Sequence, residues 1–118
     1  IDDMLSSLRK AHPDALFMLT TPAQNFRRTR NGSVPNDNTV RARDVIAAYA
    51  RENGMALWDM FAVCGGGKAA VAWNRAGLMA RDRVHYTEEG YRLQGMLLFE
   101  ALMNSYYNVT AREDVAVD

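Results

Sequence analysis

Asp82 and His85 stand three residues apart in the stretch Asp82-Arg83-Val84-His85. An imidazole serves as a general base when its ring is held in one tautomer, and a carboxylate that accepts the Nδ1 proton does this while stabilising the imidazolium formed during reaction. The two residues lie between a turn near Gly77 and a helix start at Thr87, so they share an irregular segment and can meet without help from a distant element. Nε2 is then free to take a proton from a hydroxyl group. The alternative is that Asp82 anchors the loop while His85 sits half-buried beside Tyr86.

A base of this kind needs a nucleophile, and the serines offer none. Ser6 and Ser7 fall in the first predicted helix, Ser33 in an Arg/Asn-rich loop and Ser105 near the end of the last helix. Each reads as a solvated or packing residue. Cys64 is the single cysteine, which excludes an internal disulfide and a cysteine-based zinc site and reads as a small buried thiol. Gly65-Gly66-Gly67-Lys68 resembles a phosphate loop only superficially, because Ala62 stands where that pattern needs Gly and Ala69 where it needs Ser or Thr. Arg27, Arg28 and Arg30 follow the end of the first predicted strand, where open α/β sheets bind ligands; they read either as contacts to an anionic or sugar substrate or as a solvated basic loop. Trp73, Leu78 and Met79 offer walls for an acyl or sugar pocket beside the dyad, or plain core packing. Asp59, at a strand end, reads as a structural acceptor, and His12 before Pro13 as a helix-terminating surface residue.

The elements that must position these groups follow from hydrophobic spacing. Ile1, Met4, Leu5, Leu8 and Ala11 mark one face of a helix that stops at His12-Pro13-Asp14. Leu16-Phe17-Met18-Leu19 is a continuous apolar run, as in a parallel strand covered on both faces. Residues 23–38 have loop composition, and a loop of that length is often functional. Thr39 is the expected cap of a second helix reaching Glu52, with Asn53-Gly54 as its stop. Met55 to Met60 reads as a second buried strand. After the glycine break come a short helix through Trp73 and a turn near Gly77. Thr87, followed by Glu88 and Glu89, starts a long helix through Met103, and the tail after Asn108 is expected to fray. Gly90 and Gly95 inside it imply close backbone packing.

This order predicts an α/β fold, the C-terminal half of a doubly wound, flavodoxin-like three-layer α/β/α sandwich with parallel strands. Two apolar strands leave unpaired edges, so a missing N-terminal segment or a second copy of the chain, forming a homodimer, is expected to complete the sheet. The absence of an initiator Met at Ile1 points the same way. Lys plus Arg and Asp plus Glu both number 14, which argues against nucleic acid as a partner. No apolar run is long enough to span a bilayer, and any signal peptide would precede residue 1, leaving the compartment open. Asn108-Val109-Thr110 is a glycosylation sequon that matters only in a eukaryotic secretory setting.

The block Asp82-Arg83-Val84-His85-Tyr86-Thr87-Glu88-Glu89-Gly90-Tyr91 is similar to the last block of SGNH/GDSL-type serine hydrolases. Leu19-Thr20-Thr21-Pro22 and Ala56-Leu57-Trp58-Asp59-Met60 resemble strands of that family, while Gly65-Gly66 through Trp73 and Ala76-Gly77-Leu78 resemble its acetyl-esterase-like branch. The resemblance implies hydrolysis of small acyl esters, acetylated carbohydrate among them, with Asp82 and His85 as two members of a Ser-His-Asp triad, Trp73 and Leu78 near the substrate, and no metal or organic cofactor. The family's Gly-Asp-Ser nucleophile block and its oxyanion-hole blocks do not occur here. The isolated chain is therefore expected to be inactive, since even an intact oxyanion hole supplies only roughly 10³–10⁴ over water without a complete triad. A second reading is a noncatalytic assembly unit that completes its sheet with another chain.

Overall fold

The computed structural model describes residues 1–117. Helix α1 (Asp2–Ala11) leads into strand β1 (Met18–Thr20), a hairpin of β2 (Phe26–Thr29) and β3 (Gly32–Pro35), and helix α2 (Asp37–Glu52). Strand β4 (Ala56–Trp58), a one-turn helix α3 (Met60–Val63), a 3₁₀ turn (Gly66–Lys68), helix α4 (Ala69–Arg75) and the long helix α5 (Glu88–Val117) complete the chain.

β1 and β4 pair in parallel, Met18 opposite Ala56, Leu19 opposite Leu57 and Thr20 opposite Trp58, with the hairpin and α2 forming the crossover. The fold is thus α/β with a parallel sheet, as the order of elements implies. Among the described residues no third strand joins this pair. Its side chains are accordingly not covered on both faces: Leu16 is wholly exposed, and Met18 and Leu57 face solvent. On α1 only Leu5 is buried, while Ile1, Met4 and Leu8 lie open. Tyr49 of α2 donates a hydrogen bond to Asp2 at 2.8 Å and so ties the first two helices together.

Three local expectations are corrected. The loop over 23–38 contains the β2–β3 hairpin, closed by the two-residue connection Arg30-Asn31, with Gly32 at φ 117° and the Thr29 hydroxyl donating to the Gly32 carbonyl at 2.7 Å. Asn36 rather than Thr39 caps α2, its side-chain oxygen accepting the Asn38 N–H at 3.2 Å, while Thr39 is buried and donates its hydroxyl to the Asn36 carbonyl. The tail after Asn108 does not fray in the structure; α5 continues to Val117, a length of about 45 Å at 1.5 Å per residue.

The core lies beyond the carboxyl ends of the strands. Ala23, Phe26, Cys64, Ala69, Ala70, Trp73 and Met79 form it, and Leu93 and Leu97 of α5 pack on its side. Thr21 and Asp59, the residues that leave β1 and β4, lock its entrance. The buried Thr21 hydroxyl donates to Asp59 at 2.9 Å and accepts the Phe61 N–H, and Arg43 donates to the same carboxylate at 2.9 Å. Burial raises the Asp59 pKa, but the donors from Arg43, Thr21 and Ala62 outweigh it and leave the carboxyl below its usual value. No described helix is long and apolar enough to cross a membrane.

Candidate active site

The segment carrying Asp82 and His85 is a short excursion pinned at its base. Met79 and Tyr86 form an antiparallel bridge, Ala80 N–H donates to the His85 carbonyl at 2.8 Å, and Arg83 N–H closes a turn on the Ala80 carbonyl at 3.0 Å. The Asn74 side-chain amide donates to the carbonyls of both Met79 and Ala80. Thr87 fixes the far end: its hydroxyl donates to the Gly77 carbonyl at 2.8 Å and accepts the Gly90 N–H, which makes it the cap expected from the sequence. Gly90 is required there, because a Cβ would run into the Leu78 carbonyl, whereas one at Gly95 would meet nothing within 4 Å. The close packing expected for both glycines therefore holds for Gly90 alone.

Within this frame Asp82 Oδ2 lies 2.7 Å from His85 Nδ1. Asp82 Oδ1 accepts the backbone N–H groups of Val84 at 2.9 Å and His85 at 3.0 Å. The His85 ring and these two N–H groups together draw the Asp82 carboxyl down to about 2. An ionised carboxylate only accepts hydrogen bonds, so in the neutral ring the proton sits on Nδ1 and the lone pair on Nε2. The His85 side chain is 72% exposed, so the ring faces outward and is not enclosed. The turn that brings the two together places Arg83 at φ 54°, a left-handed conformation unusual for a residue with a Cβ.

The hairpin braces this turn. Phe26 N–H donates to the Arg83 carbonyl at 3.1 Å, and the Arg83 guanidinium sits over the Phe26 ring, 4.8 Å from its centre. Phe26 and Asn74 are the positioning residues that sequence reasoning did not find. An isolated aromatic in the polar stretch 23–38 was the one available sign of Phe26, and nothing in the sequence pointed to Asn74. Between hairpin and turn runs a groove of about 410 Å³, walled by Arg28 and Ser33 on one side and by Arg81, Asp82 and Val84 on the other.

The other candidates fall elsewhere. Trp73 is in the core, its indole N–H donating to the Cys64 carbonyl at 2.9 Å and its ring meeting Tyr86 edge-on. Leu78 is half-buried against the same cluster, and neither residue lines the groove. Cys64 is buried, and burial pushes its thiol pKa up, away from the thiolate form. Ser7 and Ser105 spend their hydroxyls on helix carbonyls one turn back, and Ser33 shares the groove with Asp82. No serine hydroxyl is hydrogen-bonded to His85 among the described residues. No cluster of three or more His, Cys, Asp or Glu side chains converges there on a metal-sized site.

Two solved structures share this architecture. One is a peptidoglycan O-acetylesterase, at 22% identity and a TM-score of 0.75, covering 86% of this chain and 29% of its own. The other is the esterase domain of the ORF1 protein of the zebrafish ZfL2-1 retrotransposon, at 14% identity and a TM-score of 0.63, covering 87% of this chain and 55% of its own. The likeness is one of fold. The resemblance read from residues 82–91 and from the strands upstream holds at the level of fold, an α/β architecture shared with two esterases. It spans under a third of the first structure and about half of the second. No family model and no curated protein matches the sequence.

Proposed function

We propose that this chain is the Asp- and His-bearing part of a serine esterase that hydrolyses small acyl esters, acetyl esters on carbohydrate in particular. The observation that carries the reading is the 2.7 Å contact between Asp82 and His85 Nδ1, on a loop whose other bonds hold it in place. Asp82 orients the ring and stabilises the imidazolium. Nε2 takes the proton of a serine hydroxyl lying outside these 118 residues as its Oγ bonds to the acyl carbon. The imidazolium then returns that proton to the departing alcohol oxygen as the ester C–O bond breaks, and a water activated by the same nitrogen hydrolyses the acyl-enzyme. The peptidoglycan O-acetylesterase among the structures of the same fold supports acetyl as the acyl group and carbohydrate as its carrier. Trp73 and Leu78, expected beside the substrate, instead belong to the core packing, where Trp73 meets Tyr86, the residue after His85.

A fluorophosphonate serine-hydrolase probe read by intact mass tests this. The 118-residue chain stays unlabelled, while the complete product of the gene takes up one probe per molecule on a serine, and His85→Ala abolishes that uptake. Stoichiometric labelling of the 118-residue chain, labelling that survives His85→Ala, or no labelling of the complete product would overturn the reading.

The open edges of the β1–β4 pair favour a second reading, in which the chain completes its sheet with another polypeptide and acts as an assembly unit. In that case the chain forms a dimer by light scattering, and His85→Ala changes nothing.

A further inference from the structure

The groove beside the dyad is basic although the chain as a whole is neutral. Arg28 reaches it from β2, and Arg81 reaches it from the residue before Asp82. Ion pairs among the described residues involve the guanidinium groups of Arg43 and Arg92, and neither Arg28 nor Arg81 is in one. The one carboxylate lining the groove, Asp82, is committed to His85 and to two backbone N–H groups. Two guanidinium groups therefore face a concave site without an ion-pair partner, against the single carboxylate charge of Asp82. Low-dielectric walls strengthen such a field, and Phe26 and Val84 provide them here. The guanidinium fork matches the two oxygens of a carboxylate or phosphate better than it matches a neutral hydroxyl. A second groove of about 340 Å³ shares Phe26 and includes Lys68 and Arg75 in its lining.

We infer that Arg28 and Arg81 bind an oxyanion, carboxylate or phosphate, carried on the alcohol part of the ester. This rests on the esterase reading, because a small acyl group has no charge to offer and the anion must therefore belong to the carrier. The hairpin is then the specificity element of the site. Its docking through Phe26 sets the distance between the anion and the ester bond.

Amide NMR titration of the 118-residue chain with glucose, glucuronate and glucose-6-phosphate tests the inference. At least one of the two anions binds about tenfold or more tightly than glucose, shifting the amides of Arg28, Ser33 and Arg81. Preference for glucuronate assigns a carboxylate, preference for glucose-6-phosphate assigns a phosphate, and equal tightening by both assigns a general oxyanion site. Arg28→Gln with Arg81→Gln removes the advantage, and added salt weakens it. Equal affinity for all three sugars, no binding of either anion, or an advantage that survives the double substitution would overturn the inference. The readout does not use His85, so its failure leaves the dyad reading standing. Failure of the fluorophosphonate test would remove the ester as the anion's carrier but not anion binding by Arg28 and Arg81.

Discussion

Around the Asp82–His85 turn, Phe26, Trp73 and Met79 are each less than a tenth exposed, and most of the backbone hydrogen bonds of the turn stay within it or reach the hairpin. Along the β1–β4 sheet and the far half of α5 the opposite holds. Leu16, Met18, Leu57, Phe99, Leu102 and Tyr106 stand open to solvent, and the radius of gyration is 17.4 Å, against about 13 Å for a compact domain of 100 residues. The contrast separates two tasks. Orientation of the His85 ring is complete within the chain, because the residues that hold it are close in sequence or belong to the hairpin. Closure of the sheet and provision of a nucleophile are not, and in the proposed reading one further segment supplies both.

The sharpest way to break the contrast is to empty the closed end. Trp73→Ala removes the centre of the core and its bond to Cys64, and should cost about 3–5 kcal/mol in urea unfolding. A cost under about 1 kcal/mol would mean that the core does not hold the turn. Next in size is a pair of identical changes in one helix. Gly90→Ala drives a methyl group into the Leu78 carbonyl and should cost about 1–3 kcal/mol, whereas Gly95→Ala meets open space and should gain up to about 1 kcal/mol. Similar effects at both positions would contradict the packing described. The smallest change belongs to the open end: Leu16→Lys, at a wholly exposed residue, should alter the stability of the 118-residue chain by no more than about 0.5 kcal/mol while reducing its self-association in sedimentation.

Legibility in the sequence divides along the same line. The parallel pair, α2, the short helix through Trp73 and the Thr87 cap were readable because each carries a local signal, an apolar run or a capping residue followed by acidic ones. Asp82 and His85 were readable because their spacing alone allows them to meet. The hairpin was not, since Arg27 and Arg28 interrupt any alternation and only Asn31-Gly32 marks its turn. Its stabilising contact with Arg83 links residues nearly sixty positions apart, and no periodicity records such a pairing. The one-turn helix α3 is too short to produce a period. The strands were read as covered because apolar runs signal burial, which the two-stranded sheet of the described residues does not provide.

The central claim is that His85 is already set as a base by Asp82 within these 118 residues. The depressed Asp82 pKa makes this pairing fully present above the ordinary carboxyl value and lost only as the pH falls through about 2, so it is intact at neutral pH. Long-range nitrogen–proton NMR of the imidazole in the 118-residue chain reads the tautomer of the neutral ring directly. The account predicts the proton on Nδ1 in the wild-type chain and loss of that preference in Asp82→Asn. A proton on Nε2, or a tautomer that ignores the substitution, would contradict it.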